Sequence, residues 1–382
     1  MIRVAIVVTH PIQYYVPVFQ ALALRGKIHV KVFYTWGEES VRKFDPGFGR
    51  VIEWDLPLLE GYEYEFLRNS SPEPGSHHFK GIDNPEIIER IDAFAPDKIL
   101  VFGWSYRSHL KVLRHYKGKV PVYFRGDSHQ LNAGSGLKAL LRRLYLTWVY
   151  RHIDYAISVG TNNRAYYLHN GLKPSQVLFA PHAVDEQRFE DPEGTYKMQA
   201  DVLRKELGIP QDDIVILYAG KFEPVKNLGF LLDAFALAGV PGLSLLLVGN
   251  GEEEQMLKAK HIPKVFFMDF QNQQMMPVIY RMGDIFVLAS KSETWGLAVN
   301  EAMNCGCALL LHERIGAAKD LLQEGHNGFY FRQGDVNDLA EQMKRIVSIP
   351  ERLEFMKENS KALVARWSYQ SLVQGLEDIL SS

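Results

Sequence analysis

Short runs of buried-type residues alternate with helix-type stretches along this chain, and that alternation restricts its fold more than any single motif does. Strand-like runs lie near Ile2, His29, Tyr62, Lys98, Val120 and Tyr155, with helical stretches around Tyr15, Pro85, Ser105, Leu137 and Asn162. Such alternation predicts parallel sheets with helices on both faces, a doubly wound α/β architecture. At 382 residues and 47% hydrophobic, the chain exceeds the roughly 250–300 residues at which one core stops growing. Two domains are expected. The stretch 190–197 is polar and carries Pro192 and Gly194, and a fresh alternation begins after Gly208-Ile209-Pro210. The boundary is therefore placed there, giving domains at 1–190 and 191–366 and a last helical segment at 367–382. Residues 68–81, rich in Ser, Pro, Gly and His, read as a mobile loop.

Chemistry concentrates near the end. Ile285-Phe286-Val287-Leu288 reads as a central strand, 289–295 as a loop, and Leu297 onward as a helix. A strand–loop–helix junction directs backbone N–H groups at whatever sits above it, and those amides favour a phosphate. Gly296 permits close approach. Glu301, expected within about the first helical turn, has a carboxylate able to accept two hydrogen bonds from a vicinal diol such as a ribose. Glu293 in the loop can do the same for a second polyhydroxylated group. The pair suits a molecule with a diol on each side of a diphosphate, a nucleotide sugar. The ordinary alternative is that the helix dipole alone favours Glu301 and that Glu293 is simply solvated.

An independent signal precedes it. The strand Ile214 to Ala219 runs into Gly220-Lys221-Phe222-Glu223-Pro224-Val225-Lys226-Asn227 and a helix from Leu228 to Ala238. Two lysines five apart above a strand end can reach one diphosphate and neutralise charge that grows on a leaving group, although surface lysines need no such role. A third strand, Ser244 to Val248, ends in Gly249-Asn250-Gly251, where backbone can approach a flat base.

These segments resemble the C-terminal domain of retaining GT-B glycosyltransferases, glycosyltransferase family 4. The resemblance is carried by Gly220-Lys221 with Lys226, by Val248 to Gly251, and by Glu293 and Glu301 followed by Ala302-Met303-Asn304-Cys305-Gly306. Residues 158–171 and 180–189 resemble that family's interdomain segment. It implies two Rossmann-like domains facing each other across a cleft, an N-terminal acceptor domain and a C-terminal donor domain, with the last helix crossing back to the first. It also implies that Glu293 contacts the donor sugar, Glu301 the ribose, Lys221 and Lys226 the diphosphate, and backbone at Gly296, Leu297 and Ala298 the phosphates. Gly220, Gly249, Asn250 and Gly251 complete the expected donor site. The implied activity is hexosyl transfer from a nucleoside-diphosphate sugar, UDP by default, to a hydroxyl of a glycan or lipid-linked acceptor in cell-surface polysaccharide or glycoconjugate synthesis. Retention and independence of metals and cofactors follow from the resemblance, and no Asp-x-Asp lies in a loop beside the donor segments. The chain departs from the family pattern at Lys221, where arginine is usual, and at His182-Ala183, where Asn-Gly is common. Rival readings are a GT-B nucleotide-sugar epimerase, a phosphorylase, or a non-catalytic nucleotide-sugar-binding protein.

Open parallel sheets bind ligands at the carboxyl ends of their strands. In the first half those ends carry His10, Gln13 and Tyr14, then Trp104 and Arg107, a mixture of rings and hydrogen-bonding groups suited to a sugar acceptor. Each aromatic is as readily a core or rim residue. Asp127 and His129 in Arg125-Gly126-Asp127-Ser128-His129 stand where the family often has a His-Asp pair, and either is a candidate for catalysis. Residues 137–151 carry Lys138, Arg142, Arg143 and Arg151 beside Leu137, Leu140, Leu141, Leu144 and Trp148, with no acidic residue between Asp127 and Asp154. Such a helix suits an anionic membrane, but its apolar stripe is also what any sheet-covering helix needs, the commoner use.

A formal net charge of −2 gives no general attraction to nucleic acid. No apolar run approaches the ~18 residues that span a bilayer. The N-terminal run of apolar residues is short enough to be a first strand rather than a signal peptide. Cys305 and Cys307 read as reduced, largely buried thiols, and a cytoplasmic location is expected, with peripheral contact at the inner membrane face as the less common alternative.

Overall fold

The computed structural model of the chain describes all residues except 42, 46, 48, 49, 132, 133 and 135, and only the backbone of 43–45, 50 and 52. The chain divides into two compact units. The first comprises 1–43, 56–182 and 369–382; the second comprises 44–55 and 183–368.

In the first unit, seven strands form one parallel sheet. They are β1 (Ile2–Val8) and β2 (Ile28–Tyr34) and, after the short β3 (Lys43–Asp45) and β4 (Arg50–Ile52) of a separate two-stranded ribbon, β5 (Glu63–Phe66), β6 (Lys98–Phe102), β7 (Val122–Arg125), β8 (Tyr155–Ser158) and β9 (Val177–Phe179). Their spatial order is β5-β2-β1-β6-β7-β8-β9. β1 pairs in parallel with β2 and β6, with Val4 opposite both Val30 and Lys98. Val4, Ala5, Ile6 and Val7 are wholly buried, as expected where helices cover both faces and no polar alternation is tolerated.

The second unit repeats the plan with six parallel strands, β10 (Ile214–Ala219), β11 (Leu243–Val248), β12 (Val265–Met268), β13 (Ile285–Leu288), β14 (Ala308–His312) and β15 (Gly328–Phe331). Their order, β12-β11-β10-β13-β14-β15, reverses direction between β10 and β13. Helices leaving those two strands turn to opposite faces, which opens a crevice above their carboxyl ends. In the first unit the same reversal falls between β1 and β6. The expected fold class, two parallel-sheet α/β domains, is what the chain adopts.

The unit boundaries differ from those expected. Phe189 is buried beside the Tyr280 ring, with centroids 6.2 Å apart, so 183–190 belongs with the second unit rather than the first. Ser368 bridges Val184 and Trp367 lies 5.1 Å from the Trp295 ring, which moves the later boundary to 368. Residues 44–55 also join the second unit: Asn272 Nδ2 donates to the Glu53 carbonyl and Gln274 Nε2 to that of Asp55, each within 2.9 Å. The stretch 68–81, expected as a loose loop, is bonded instead. Asn69 donates to the Gly81 carbonyl and its Oδ1 accepts from the amides of Ser71 and Asp83.

The last helix, Tyr369–Ser381, lies on the helix Val16–Arg25 and on β1 and β2. Glu377, 1% exposed, receives Arg25 at 3.0 Å and Lys27 at 3.1 Å on one carboxylate oxygen. Tyr369 adds a 2.9 Å bond to the Tyr14 carbonyl. No helix among the described residues is long and apolar enough to cross a membrane.

Behind β1 and β6 lies a buried polar cluster. His109, fully buried, presents Nδ1 to the Phe102 carbonyl at 3.0 Å and Nε2 to Thr35 Oγ1 at 2.9 Å. A carbonyl only accepts, so Nδ1 carries the proton and Nε2 accepts from the hydroxyl. Burial pushes this imidazole down to about 4, against a partial rise from the carbonyls of Gly103 and Phe102. The unfolded chain, with a histidine near 6.5, therefore takes up a proton first as pH falls, and stability contributed by neutral His109 declines from about pH 6.5 towards 4. Urea unfolding of the first unit should lose about 2 kcal/mol between pH 7 and pH 5 beyond the loss shown by His109→Gln. Equal pH slopes in parent and variant would refute this.

Candidate functional site

The crevice of the second unit collects the donor-segment residues on three neighbouring loops, those after β10, β11 and β13. β10 ends at Ala219 and passes through Gly220 and Lys221 to a short turn, Pro224–Lys226, before the helix Leu228–Ala238. β13 ends at Leu288, and its loop carries Glu293 to Gly296, the residue before the helix Leu297–Asn304. The two loops are stitched by the Lys291 amide, which donates to the Val225 carbonyl at 2.7 Å. Above that stitch, Lys226 Nζ lies 2.8 Å from Glu293 Oε2, each side chain about one-fifth exposed. A lysine and a glutamate 67 positions apart thus face each other over the strand-order reversal.

Glu293 is held by its backbone. Its carbonyl accepts from the Gly316 amide at 3.2 Å, and the residue bridges Ile315 in parallel. Gly296 has φ +94°, a left-handed conformation that turns the loop into the helix. That helix begins without a side-chain cap, and its N-terminal end is of the kind that favours an anion. Trp295, buried, donates its indole N–H to Asn300 Oδ1 at 2.9 Å and packs on Trp367.

Gly220, Gly249, Asn250 and Gly251 are also brought together. The Phe222 amide donates to the Asn250 carbonyl at 2.9 Å, and the Gly220 amide to that of Val248 at 2.9 Å. A side-chain carbon on Gly249 would meet the Gly220 carbonyl oxygen at 1.9 Å, so only glycine allows the loops after β10 and β11 to touch. Asn250 has a bracing role: its amide nitrogen reaches Glu254 at 3.0 Å, and its oxygen accepts from the Phe270 amide at 2.8 Å.

Glu301 lies in the second helical turn rather than the first, since the helix begins at Leu297. It is 2% exposed, and Tyr280 Oη donates to its Oε2 at 2.7 Å. Lys221 presents its backbone carbonyl to the Tyr218 hydroxyl at 2.8 Å, and its ammonium lies beside the backbone of Gly47, on the segment 44–55. Burial, and then the carboxylates of Glu293, Glu223 and Glu253, hold the Tyr218 phenol well above its ordinary range, so this hydroxyl stays protonated. Tyr218 and Tyr280 were not legible as site residues. Both stand in or beside apolar runs, and no spacing marks which carbonyl or carboxyl their hydroxyls serve.

In the first unit, the candidate acceptor residues sit on loops after β1, β6 and β7, adjacent strands at the other reversal point. His10 Nδ1 is 2.9 Å from Thr9 Oγ1, and its ring meets Trp36 edge-on at 5.3 Å. Gln13 and Tyr14 follow in the same loop, where the Tyr14 carbonyl takes the Tyr369 bond. Trp104 packs against the core and edge-on to Tyr145 at 5.5 Å, the rim role open to any such aromatic. Arg107 is committed to Asp83 at 2.7 Å. His129 Nδ1 accepts from the Leu131 amide, closing its own turn. Asp127 lies near Arg125, Tyr15 and Tyr167. Arg125, 2% exposed, ties the Ala180 and Pro181 carbonyls at 3.0 Å each, a positioning role that no linear pattern announces.

Neither Cys305 nor Cys307 forms a disulfide, and burial pushes the Cys305 thiol up to about 12. Among the described residues, no group of three or more His, Cys, Asp or Glu side chains is placed to hold a metal ion.

Residues 199–363 match the family described as glycosyl transferases group 1, the part of the chain that carries Lys221, Lys226, Glu293 and Glu301. An N-acetyl-alpha-D-glucosaminyl L-malate synthase of Bacillus anthracis is 29% identical over 202 residues, 51% of this chain and 51% of that protein. A sulfoquinovosyl transferase of Arabidopsis thaliana is 27% identical over 309 residues, covering 75% of this chain and 57% of that protein. The chain spans about half the length of the curated relatives it matches. Among solved structures, Anabaena HepE in complex with UDP superposes with a TM-score of 0.74 and 16% identity over 100% of both chains, a likeness of fold.

Replacing Tyr280 by Phe removes one hydrogen bond to a buried carboxyl. The Tyr280→Phe variant should lose about 1–3 kcal/mol in chemical denaturation, whereas an unchanged midpoint would show that the bond contributes nothing.

Proposed function

We propose that the protein is a glycosyltransferase that moves a hexosyl group from a nucleoside-diphosphate sugar to a hydroxyl of a glycan or lipid-linked acceptor, with retention and without a metal ion. The reading rests chiefly on the Lys226–Glu293 contact above the β10/β13 reversal, within the segment that matches glycosyl transferases group 1. A lysine already paired with a carboxylate can exchange that partner for a diphosphate. The carboxylate is then freed to accept hydrogen bonds from the donor sugar.

In this reading Lys221, Lys226 and the start of the helix Leu297–Asn304, with the backbone of Gly296, Leu297 and Ala298, stabilise the charge that develops on the leaving diphosphate. Glu301, fixed by Tyr280, anchors the ribose, and the glycine-built loop at 249–251 borders the base. The bond from the anomeric carbon to the diphosphate oxygen breaks and the acceptor oxygen takes its place. The acceptor proton leaves with the nucleoside diphosphate. UDP is the preferred carrier because a protein of the same fold is known in complex with UDP. His10, Gln13, Tyr14, Trp104 and Arg107 of the first unit are the acceptor-side candidates, and Asp127 and His129 of the same unit are candidates for catalysis.

Thermal-shift measurements against a panel of nucleotides and nucleotide sugars test the donor, because ligands that bind only the native state raise its stability. Lys226→Ala should weaken nucleoside-diphosphate binding about tenfold or more, and Glu293→Gln should lower turnover by roughly a hundredfold with nucleotide affinity retained. EDTA should leave the rate unchanged. If no nucleotide sugar shifts the melting temperature or loses its sugar, or if both variants behave as the parent, the proposal fails. Sugar release that requires inorganic phosphate would mark a phosphorylase instead.

A further inference from the structure

The helix Leu137–Tyr150 has two apolar faces, and only one is used by the fold. Leu146, Val149 and Tyr150 are buried in the core of the first unit. Leu137, Leu140, Leu141 and Leu144 are 71, 52, 56 and 59% exposed, and Trp148 is 37% exposed. These five recur at i, i+3, i+4, i+7 and i+11, the spacing of a single helical stripe, and that stripe lies opposite the buried face. The expected use of the leucines as the sheet-covering stripe is therefore incorrect. Three other side chains do that work, and the leucines point outward.

Charge surrounds the exposed stripe. Lys138, Arg142 and Arg143 flank it, Arg151 follows, and all four are exposed. Arg143 donates to the His169 carbonyl, which leaves its charge uncompensated. Among the described residues, no carboxylate pairs with any of these four cations. Arg114 adds a fifth positive group, 5.7 Å from the Trp148 ring. A second copy of this chain docking through the same face would set these cations against themselves. A nucleic acid would answer the charge but leave the leucines in water. An anionic bilayer offers both hydrocarbon and phosphate at the required depths.

We infer that the helix Leu137–Tyr150 lies in the headgroup region of an anionic lipid bilayer. Its leucines enter the acyl boundary, its cations reach lipid phosphates, and Tyr145 and Trp148, stacked at 5.6 Å, sit at the interface. Tyr145 also packs on Trp104, on the loop after β6, so the contact adjoins the candidate acceptor loops. The inference does not depend on the identity of the donor and survives failure of the donor reading.

Flotation of the full chain with phosphatidylcholine vesicles, with and without phosphatidylglycerol, tests it. The chain should float with the phosphatidylglycerol vesicles alone, and added salt should release it. Lys138→Glu with Arg142→Glu should weaken binding about tenfold or more. Leu141→Ser with Leu144→Ser should do the same while the circular dichroism stays unchanged, because both leucines are outside the core. Absence of flotation, binding indifferent to salt or to phosphatidylglycerol, or charge variants that bind as the parent would overturn the inference. So would self-association that the leucine variants abolish without any vesicle binding.

Discussion

Two parallel sheets, each buried on both faces, set the terms for everything else in this molecule. A parallel strand covered by helices cannot carry polar side chains along its length, so hydrogen-bonding and charged groups collect where the strands end. Val4 to Val7 and the whole of β11 are buried without a break in the apolar pattern except Ser244, whose hydroxyl is bonded to Asp213 at 2.6 Å. The carboxyl ends all point one way within a sheet. Lys226, Glu293 and the glycine-built turn at 249–251 therefore meet without any sequence proximity. Reversal of strand order between β10 and β13 separates the flanking helices and keeps that meeting place open.

The site itself is assembled by backbone more than by side-chain pairing. Phe222 bonds Asn250, Lys291 bonds Val225, and Gly316 bonds the Glu293 carbonyl, so the loops are fixed to one another before any ligand is considered. Such bracing holds an ion pair in place at little entropic cost, because the groups that carry it are already ordered. The Lys226–Glu293 pair is partly exposed and would contribute little to stability as an isolated surface contact. Its placement above the strand-order reversal is what makes it informative.

Much of the architecture was legible in the sequence, and particular residues show why. Ile285 to Leu288 and Leu228 to Ala238 were placed with the observed limits, because a continuous apolar run and a compact amphipathic stretch each have one structural solution in a doubly wound domain. Other features depended on information that linear spacing does not hold. The partner of Glu293 lies on another loop, and the bond from Tyr280 to Glu301 joins two helices. The helix Leu137–Tyr150 has apolar residues on opposite sides, so its periodicity could not reveal which side faces inward. Residues 44–55 carry no compositional break, yet they belong to the second unit through bonds to Asn272 and Gln274.

The clamp of Arg25 and Lys27 on Glu377 has a consequence for biosynthesis. The helix that completes the first unit is translated only after all of 183–368, so the surface formed by Val16–Arg25, β1 and β2 must wait uncovered until then. Domains generally fold as units in order of synthesis, but this one is closed by a helix made after the whole of the second unit. A nascent chain interrupted before Tyr369 would thus present an unfinished amino-terminal half to chaperones even though every one of its strands had already been made.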